Sequence, residues 1–171
     1  MLRVEKASVG DLDALERLFD DLCDYLARTV NYPGWEKGRY PVRAVAEQAL
    51  SEDSLYVARR DGAIVGTVTL NHQEPPAYQS ADWKETCCVG VVHTLAVHPD
   101  ALHGGVGRTL MEYAVAWAKA QRCRAIHLDT YEHNQPAKRL YEGLGFCFRG
   151  KIDLGYAAWG REWYDAYEYL L

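Results

Sequence analysis

Leu12, Leu15, Phe19, Leu22 and Leu26 recur at the three- and four-residue spacing that turns one face of an α-helix toward a core. Ser8, with Asp11 three positions on, resembles a capping box ahead of that helix. Asn31-Tyr32-Pro33-Gly34 is a dense turn signal that should end it. A second helix fits Val42 to Leu50. Short apolar runs at Leu2–Lys6, Leu55–Arg60, Ile64–Asn71, Cys87–Val97, Arg124–Tyr131, Phe146–Ile152 and Trp163–Leu170 read as strands. Asp61-Gly62 marks a hairpin between the second and third of these. The Cys87–Val97 run is nearly continuous, which predicts a strand buried on both faces. Two further helices are expected. Gly104-Gly105-Val106-Gly107 opens one, with Val106, Leu110, Tyr113, Ala114 and Trp117 on one side. The other runs from Asn134 to Leu144, with Gly145 at its C-terminal end.

The order is strand, helix, helix, three strands, helix, strand, helix, two strands, which is mixed α/β. Cys87–Val97, the helix after it and Arg124–Tyr131 form a strand–helix–strand unit, so those two strands must be parallel, with a right-handed crossover. At 171 residues the expectation is one domain spanning 1–171.

Composition narrows the classes. A net charge of −5 lacks the basic footprint of a nucleic-acid binder, and it suits a cationic substrate. No apolar stretch is long enough to span a membrane, and the first residues lack the apolar core of a secretory signal. Cys23, Cys87, Cys88, Cys123 and Cys147 are odd in number and form no C-x-x-C, so they read as reduced thiols, mostly core filler, in a cytoplasmic protein. On a strand, Cys87 and Cys88 would point to opposite faces, so no metal site is expected there.

Two stretches carry chemistry. His98-Pro99-Asp100-Ala101-Leu102-His103-Gly104-Gly105-Val106-Gly107-Arg108 joins the predicted buried strand to a helix. Glycines allow close backbone approach, and the helix start offers unpaired N–H groups and partial positive charge, a setting for a pyrophosphate. Gly107 is followed by Arg108-Thr109, so this is no Walker loop, and the G-x-G-x-x-G dinucleotide pattern is absent. One strand further on, Asn134, Ala137 and Tyr141 share a helix face, because seven residues return to the same side. An amide, a gap and a phenol then stand in line, although an N-capping Asn and a core Tyr would give the same spacing.

Together, VVHTLAVHPDALHGGVGRTL and NQPAKRLYEGLGF strongly resemble the GNAT superfamily of acyl-CoA-dependent N-acetyltransferases. The resemblance implies a mixed central sheet with a splayed parallel strand pair and helices on both faces. It implies acetyl-CoA as donor, without a metal, and a small amine or protein amine as acceptor. Backbone groups at Leu95, Ala96 and Val97 would hold the acetyl carbonyl and pantetheine. Those from His103 through Gly104, Gly105, Val106 and Gly107 to Arg108 would hold the pyrophosphate. Asn134 would bind the pantetheine arm beside Ala137, and Tyr141 would protonate the leaving thiolate. The family's usual Gln/Arg falls on Leu102 here, leaving Arg108, Lys138 or Arg139 to supply charge.

The general base is open among His93 on the central strand, Glu85 in the approach loop and a water chain. His93 also fits a hydrogen-bonded core residue, and Asp129 fits a loop tie. Trp35 and Tyr40, with the aromatic stretch Tyr156 to Tyr164, suit an acceptor wall and equally a homodimer interface, and Glu85 is expected on the acceptor-binding side with them. A non-catalytic acyl-CoA-binding module is the competing function, and only an enzyme needs a proton donor at Tyr141.

Overall fold

Asp61 and Gly62 both take positive φ, 53° and 86°, and reverse the chain between β2 (Leu55–Arg60) and β3 (Ala63–Asn71). Two such residues set the twist that a tight hairpin requires. The computed structural model describes residues 1–171. The remaining strands are β1 (Leu2–Lys6), β4 (Val89–Val97), β5 (Ala125–Tyr131), β6 (Cys147–Ile152) and β7 (Tyr164–Leu170). The helices are α1 (Leu12–Arg28), α2 (Arg43–Ser51), α3 (Val106–Ala120) and α4 (Gln135–Gly143). All seven strands form one mixed sheet, ordered β1-β2-β3-β4-β5-β7-β6. β4 and β5 are parallel, as the crossover demanded, but their register covers only Val89↔Ala125, Gly90↔Ile126 and Val91↔His127. β7 pairs antiparallel with β5 from Ala125↔Leu170 to Tyr131↔Tyr164, and with β6 on its other side.

By internal packing the chain divides into two compact units. One comprises Met1–Asn31, Trp35–Leu70 and His93–Ala114, the other Tyr32–Gly34, Asn71–Val92 and Val115–Leu171. In the first, the apolar stripe of α1 packs with Ala46 and Ala49 of α2, Leu55 and Val57 of β2, and Ala96 of β4. Burying each large side chain there contributes about 1.5–3 kcal/mol.

In the second unit, the stretch between β3 and β4 is held down by buried polar contacts. His127 is fully buried, with Nδ1 at 2.5 Å from Glu74 Oε1 and Nε2 at 3.1 Å from Glu168 Oε1. Trp83 stacks on its ring, centroids 3.7 Å apart. Glu168 also accepts Arg149 Nε at 2.6 Å and the backbone N–H groups of Lys84 and Glu85. Burial pushes the Glu168 carboxyl up, but Arg149, those amides and His127 outweigh it and hold it below the usual range. Buried charge is tolerated because every member is paired.

Three expectations need correction. Cys87 and Cys88 do not begin β4. Both are exposed, and Cys88 has φ 52°, because Glu85 Oε1 accepts the N–H groups of Thr86 and Cys87 (2.9 Å each) and curls the chain into a turn. β4 is not buried on both faces throughout, since His93, Thr94 and Leu95 are half-buried. Of the five free cysteines, only Cys23 and Cys123 are core residues. Burial first, then Asp20 and Asp24, pushes the Cys23 thiol up to about 11. No helix is long and apolar enough to cross a membrane.

Candidate active site

In the first unit, β4 leaves the extended path at Thr94, whose φ is +46°. A β-branched residue in the left-handed region is disfavoured by about 1–3 kcal/mol, so its surroundings must hold it there. Its Oγ1 is hydrogen-bonded to the hydroxyl of Tyr40. Beyond it lie Leu95 and Val97, half-buried, and Ala96, buried. The chain then makes a short 3₁₀ turn over Pro99–Ala101 and enters α3 through His103 (φ 61°), Gly104 and Gly105 (φ 78°). His103, Gly104, Gly105 and Arg108 are exposed, Gly107 half-buried and Val106 buried. The Gly104 N–H is used by the Ala101 carbonyl at 3.2 Å. The N–H groups at the start of α3 have no intrahelical acceptors, the feature on which the sequence reading places a pyrophosphate.

Two residues that build this turn were not legible in the sequence. Arg60, at the end of β2, donates from Nη2 to the Gly104 carbonyl at 3.1 Å and brings a guanidinium to the turn. Gly66 of β3 lets α3 approach: a Cβ there would stand 2.8 Å from Val106 Cγ1 and 3.1 Å from the Ala96 carbonyl oxygen. Of the cations expected to replace the missing Gln/Arg, Lys138 is committed to Asp165 at 2.5 Å, and Arg108 faces Glu112 at 3.7 Å.

In the second unit, Asn134 caps α4, its Oδ1 accepting the Ala137 N–H at 3.4 Å, and its Nδ2 remains a donor. Tyr141 is 6% exposed and lies among Phe146 and Tyr167. Burial pushes its phenol well above the ordinary range, and the Asp129 carboxylate adds to the rise. Asp129, on β5, accepts the hydroxyl of the buried Tyr78 on Oδ2 at 2.7 Å. Burial raises the Asp129 carboxyl, and the Tyr78 bond only partly offsets it. Asp129 is therefore both the loop tie the sequence suggested and a carboxylate of raised proton affinity near Tyr141.

The other expected residues divide. His93 is half-buried on β4, between the paired segment and Thr94. Glu85 sits at the other end of β4, before its first residue. Its Oε2 pairs with Arg124 at 2.9 Å, and the Cys87 and Thr86 amides help hold it below the usual carboxylate range. A carboxylate so occupied is a poor base. Trp35 packs against the α1–α2 core, its backbone bracketed by both amide atoms of Asn31. Tyr40 meets Trp35 edge-on, centroids 5.8 Å apart. In the C-terminal stretch Tyr156 and Trp159 stack at 5.5 Å, and both are exposed.

A glycine turn opening a helix and a capped helix carrying a buried phenol stand where the GNAT-like sequence pattern puts them, and comparison with known proteins agrees on the family. The model of the acetyltransferase (GNAT) family matches residues 15–146. The chain belongs to that family. It is 32% identical over 107 residues to a mycothiol acetyltransferase of Acidothermus cellulolyticus, covering 61% of this chain and 33% of that protein. It is 30% identical over 111 residues to a streptothricin acetyltransferase of Escherichia coli, covering 64% of this chain and 56% of that protein. The chain thus spans about a third to a half of the length of these curated relatives. A GNAT-family acetyltransferase structure from Streptococcus agalactiae superposes with a TM-score of 0.83, covering 99% of this chain and 95% of that one; at 16% identity this speaks for the fold alone.

Proposed function

We propose that the chain transfers an acetyl group from acetyl-CoA to a primary amine by direct attack of the amine on the thioester. The observation that carries this reading is the turn from β4 into α3. Left-handed His103 and Gly105 open the first turn of a long helix, with a guanidinium alongside. The family takes acetyl-CoA as donor. In this reading the amides from His103 to Arg108 hold the pyrophosphate, with the Gly104 amide already engaged. The backbone from Leu95 to Val97 holds the acetyl carbonyl and pantetheine, and Asn134 Nδ2 holds the arm beside Ala137.

The reaction moves one proton from nitrogen to sulfur. The neutral amine attacks, the oxyanion of the tetrahedral intermediate is held by a preorganised N–H near Leu95, and the C–S bond then breaks. In this reading Asp129 takes the amine proton. Its proton affinity is raised toward the range where general bases work, and its carboxylate has an oxygen not used by Tyr78. Tyr141 protonates the thiolate. Its raised pKa is no obstacle, because the same burial raises the proton affinity of a thiolate. Once Asp129 has taken the amine proton, the carboxylate charge that added to the rise of the Tyr141 phenol is gone, and Tyr141 becomes a stronger acid as the thiolate forms. Asp129 then returns its proton to Tyr141, and the balance closes.

The relatives named for mycothiol and streptothricin differ in acceptor, so the acceptor class here stays at a primary amine, with exposed Tyr156 and Trp159 as a wall for it. Five free cysteines suit a reducing, cytoplasmic setting. The test is thiol release from acetyl-CoA across a panel of amines. Amine-dependent release is expected. Binding of acetyl-CoA without release for any amine would overturn the transfer in favour of an acyl-CoA-binding module.

A further inference from the structure

Tyr40 comes from the connection between α1 and α2, yet its hydroxyl is spent on Thr94 of β4, 54 residues away. The mount beneath it is hydrogen-bonded. Glu36 and Tyr40 pair as a short antiparallel bridge, with the Glu36 N–H on the Tyr40 carbonyl at 3.1 Å and the Tyr40 N–H on the Glu36 carbonyl at 3.0 Å. The ring rests edge-on against Trp35, which packs on the α1–α2 core and is bracketed by Asn31. The partner at the other end is the one strand residue of β4 in the left-handed region, and it is β-branched. A threonine leaves that region readily unless something holds its side chain.

We infer that Tyr40 is a positioning residue: through Thr94 Oγ1 it holds β4 in its kinked path and so sets the direction of the Leu95 to Val97 amides. This rests on the reading that those amides face the acyl donor. It reassigns Tyr40 from the acceptor wall, where its aromatic character alone would put it. It also makes the α1–α2 connection part of the donor side, because displacing that connection releases the kink. A left-handed residue placed in a strand redirects the following backbone groups, which is why such irregularities gather beside active sites.

The distinguishing experiment uses glycine, which adopts positive φ without a tether. Tyr40→Phe keeps the ring on Trp35 and removes only the hydroxyl. It should weaken acetyl-CoA binding, read by calorimetry, about three- to tenfold, the usual range for one lost hydrogen bond. It should also shift or broaden the Leu95, Ala96 and Val97 amide signals in a nitrogen–proton correlation spectrum without ligand. Adding Thr94→Gly to Tyr40→Phe should restore both readouts toward the parent, since the kink no longer needs holding. Parent-like affinity and amide signals in Tyr40→Phe would overturn the inference. So would a loss that Thr94→Gly fails to restore, because Tyr40 would then act by direct contact. A parent protein that binds no acetyl-CoA overturns the donor reading itself, while the amide signals still report whether the tether holds the kink.

Discussion

Asp129→Asn separates a carboxylate kept for chemistry from one kept for structure. Asparagine preserves the shape and an oxygen for the Tyr78 hydroxyl, so the tie at 2.7 Å survives. What disappears is the negative charge. Burial holds the Asp129 carboxyl above its ordinary value, so on folding its proton affinity rises. The sign follows directly. Below the unfolded value both states are protonated and nothing is lost. As pH rises through the window up to the folded value, the folded state keeps its proton while the unfolded chain releases one, and stability falls. Above that window the ionised group is a standing cost, which Asn removes. The variant should therefore melt higher than the parent at neutral pH, with the difference closing in acid. Turnover should move the other way, falling about 10²–10⁴-fold, the contribution of a positioned base, or roughly 2.7–5.4 kcal/mol of barrier at about 1.36 per tenfold. Melting curves against pH and the pH–rate profile of thiol release check both halves on one preparation. A variant that is less stable and fully active would refute the reasoning and leave Asp129 as a loop tie. If the acid limb of the profile is lost in His93→Gln and kept in Asp129→Asn, the base is His93.

Tyr141→Phe should cut turnover about 10²–10⁴-fold with little change in melting, because the ring contacts to Phe146 and Tyr167 remain; steady-state rates near the parent's would remove the acid role. A Cβ at Gly105 would meet no atom within 4 Å, but Gly105→Asp puts a carboxylate and an unfavourable φ of +78° into the turn. Calorimetry should show acetyl-CoA binding lost, and unchanged affinity in a folded variant would dismiss the cradle. Gly66→Ala drives a methyl into Val106, Leu110 and the Ala96 carbonyl, a cost of about 1–3 kcal/mol. Scanning calorimetry should show a melting point lower by about 2–4 °C per kcal/mol, and a parent-like value would contradict the close packing of α3 on β3.

What could be read in advance was local chemistry. The Asp61-Gly62 hairpin, the glycine turn before α3 and the Asn134 cap each depend on a few adjacent residues, and all form where the pattern puts them. The parallel β4–β5 pair followed from the length of its crossover. What could not be read depends on partners far along the chain. Nothing about Thr94 announces a left-handed conformation, because the tether arrives from Tyr40. Arg60 looked like the last residue of a strand, and only the fold brings it to Gly104. Asp129 and Tyr78 are 51 residues apart, and the proton affinity of that carboxyl depends on a loop whose sequence looked merely polar. The same loop misled the reading of Cys87 and Cys88. Glu85 captures the chain just ahead of them, and periodicity has no means of registering a side chain that bonds the backbone next to it.

β7 is the last strand in sequence yet an interior one in the sheet, between β5 and β6. During synthesis, β5 must therefore wait with an open edge while α4 and β6 emerge, and β6 has no strand to pair with until β7 arrives. The segment before β4 waits longer still. Its anchor, Glu168, is translated 83 and 84 residues after the amides of Glu85 and Lys84 that it binds. Tyr78, and through it one oxygen of Asp129, belongs to that segment. A growing chain thus completes the turn from β4 into α3, made of earlier residues, well before the segment carrying Tyr78 is fixed in place, and on the roles proposed for that turn and for Asp129, partial chains should bind acyl-CoA before they transfer its acyl group.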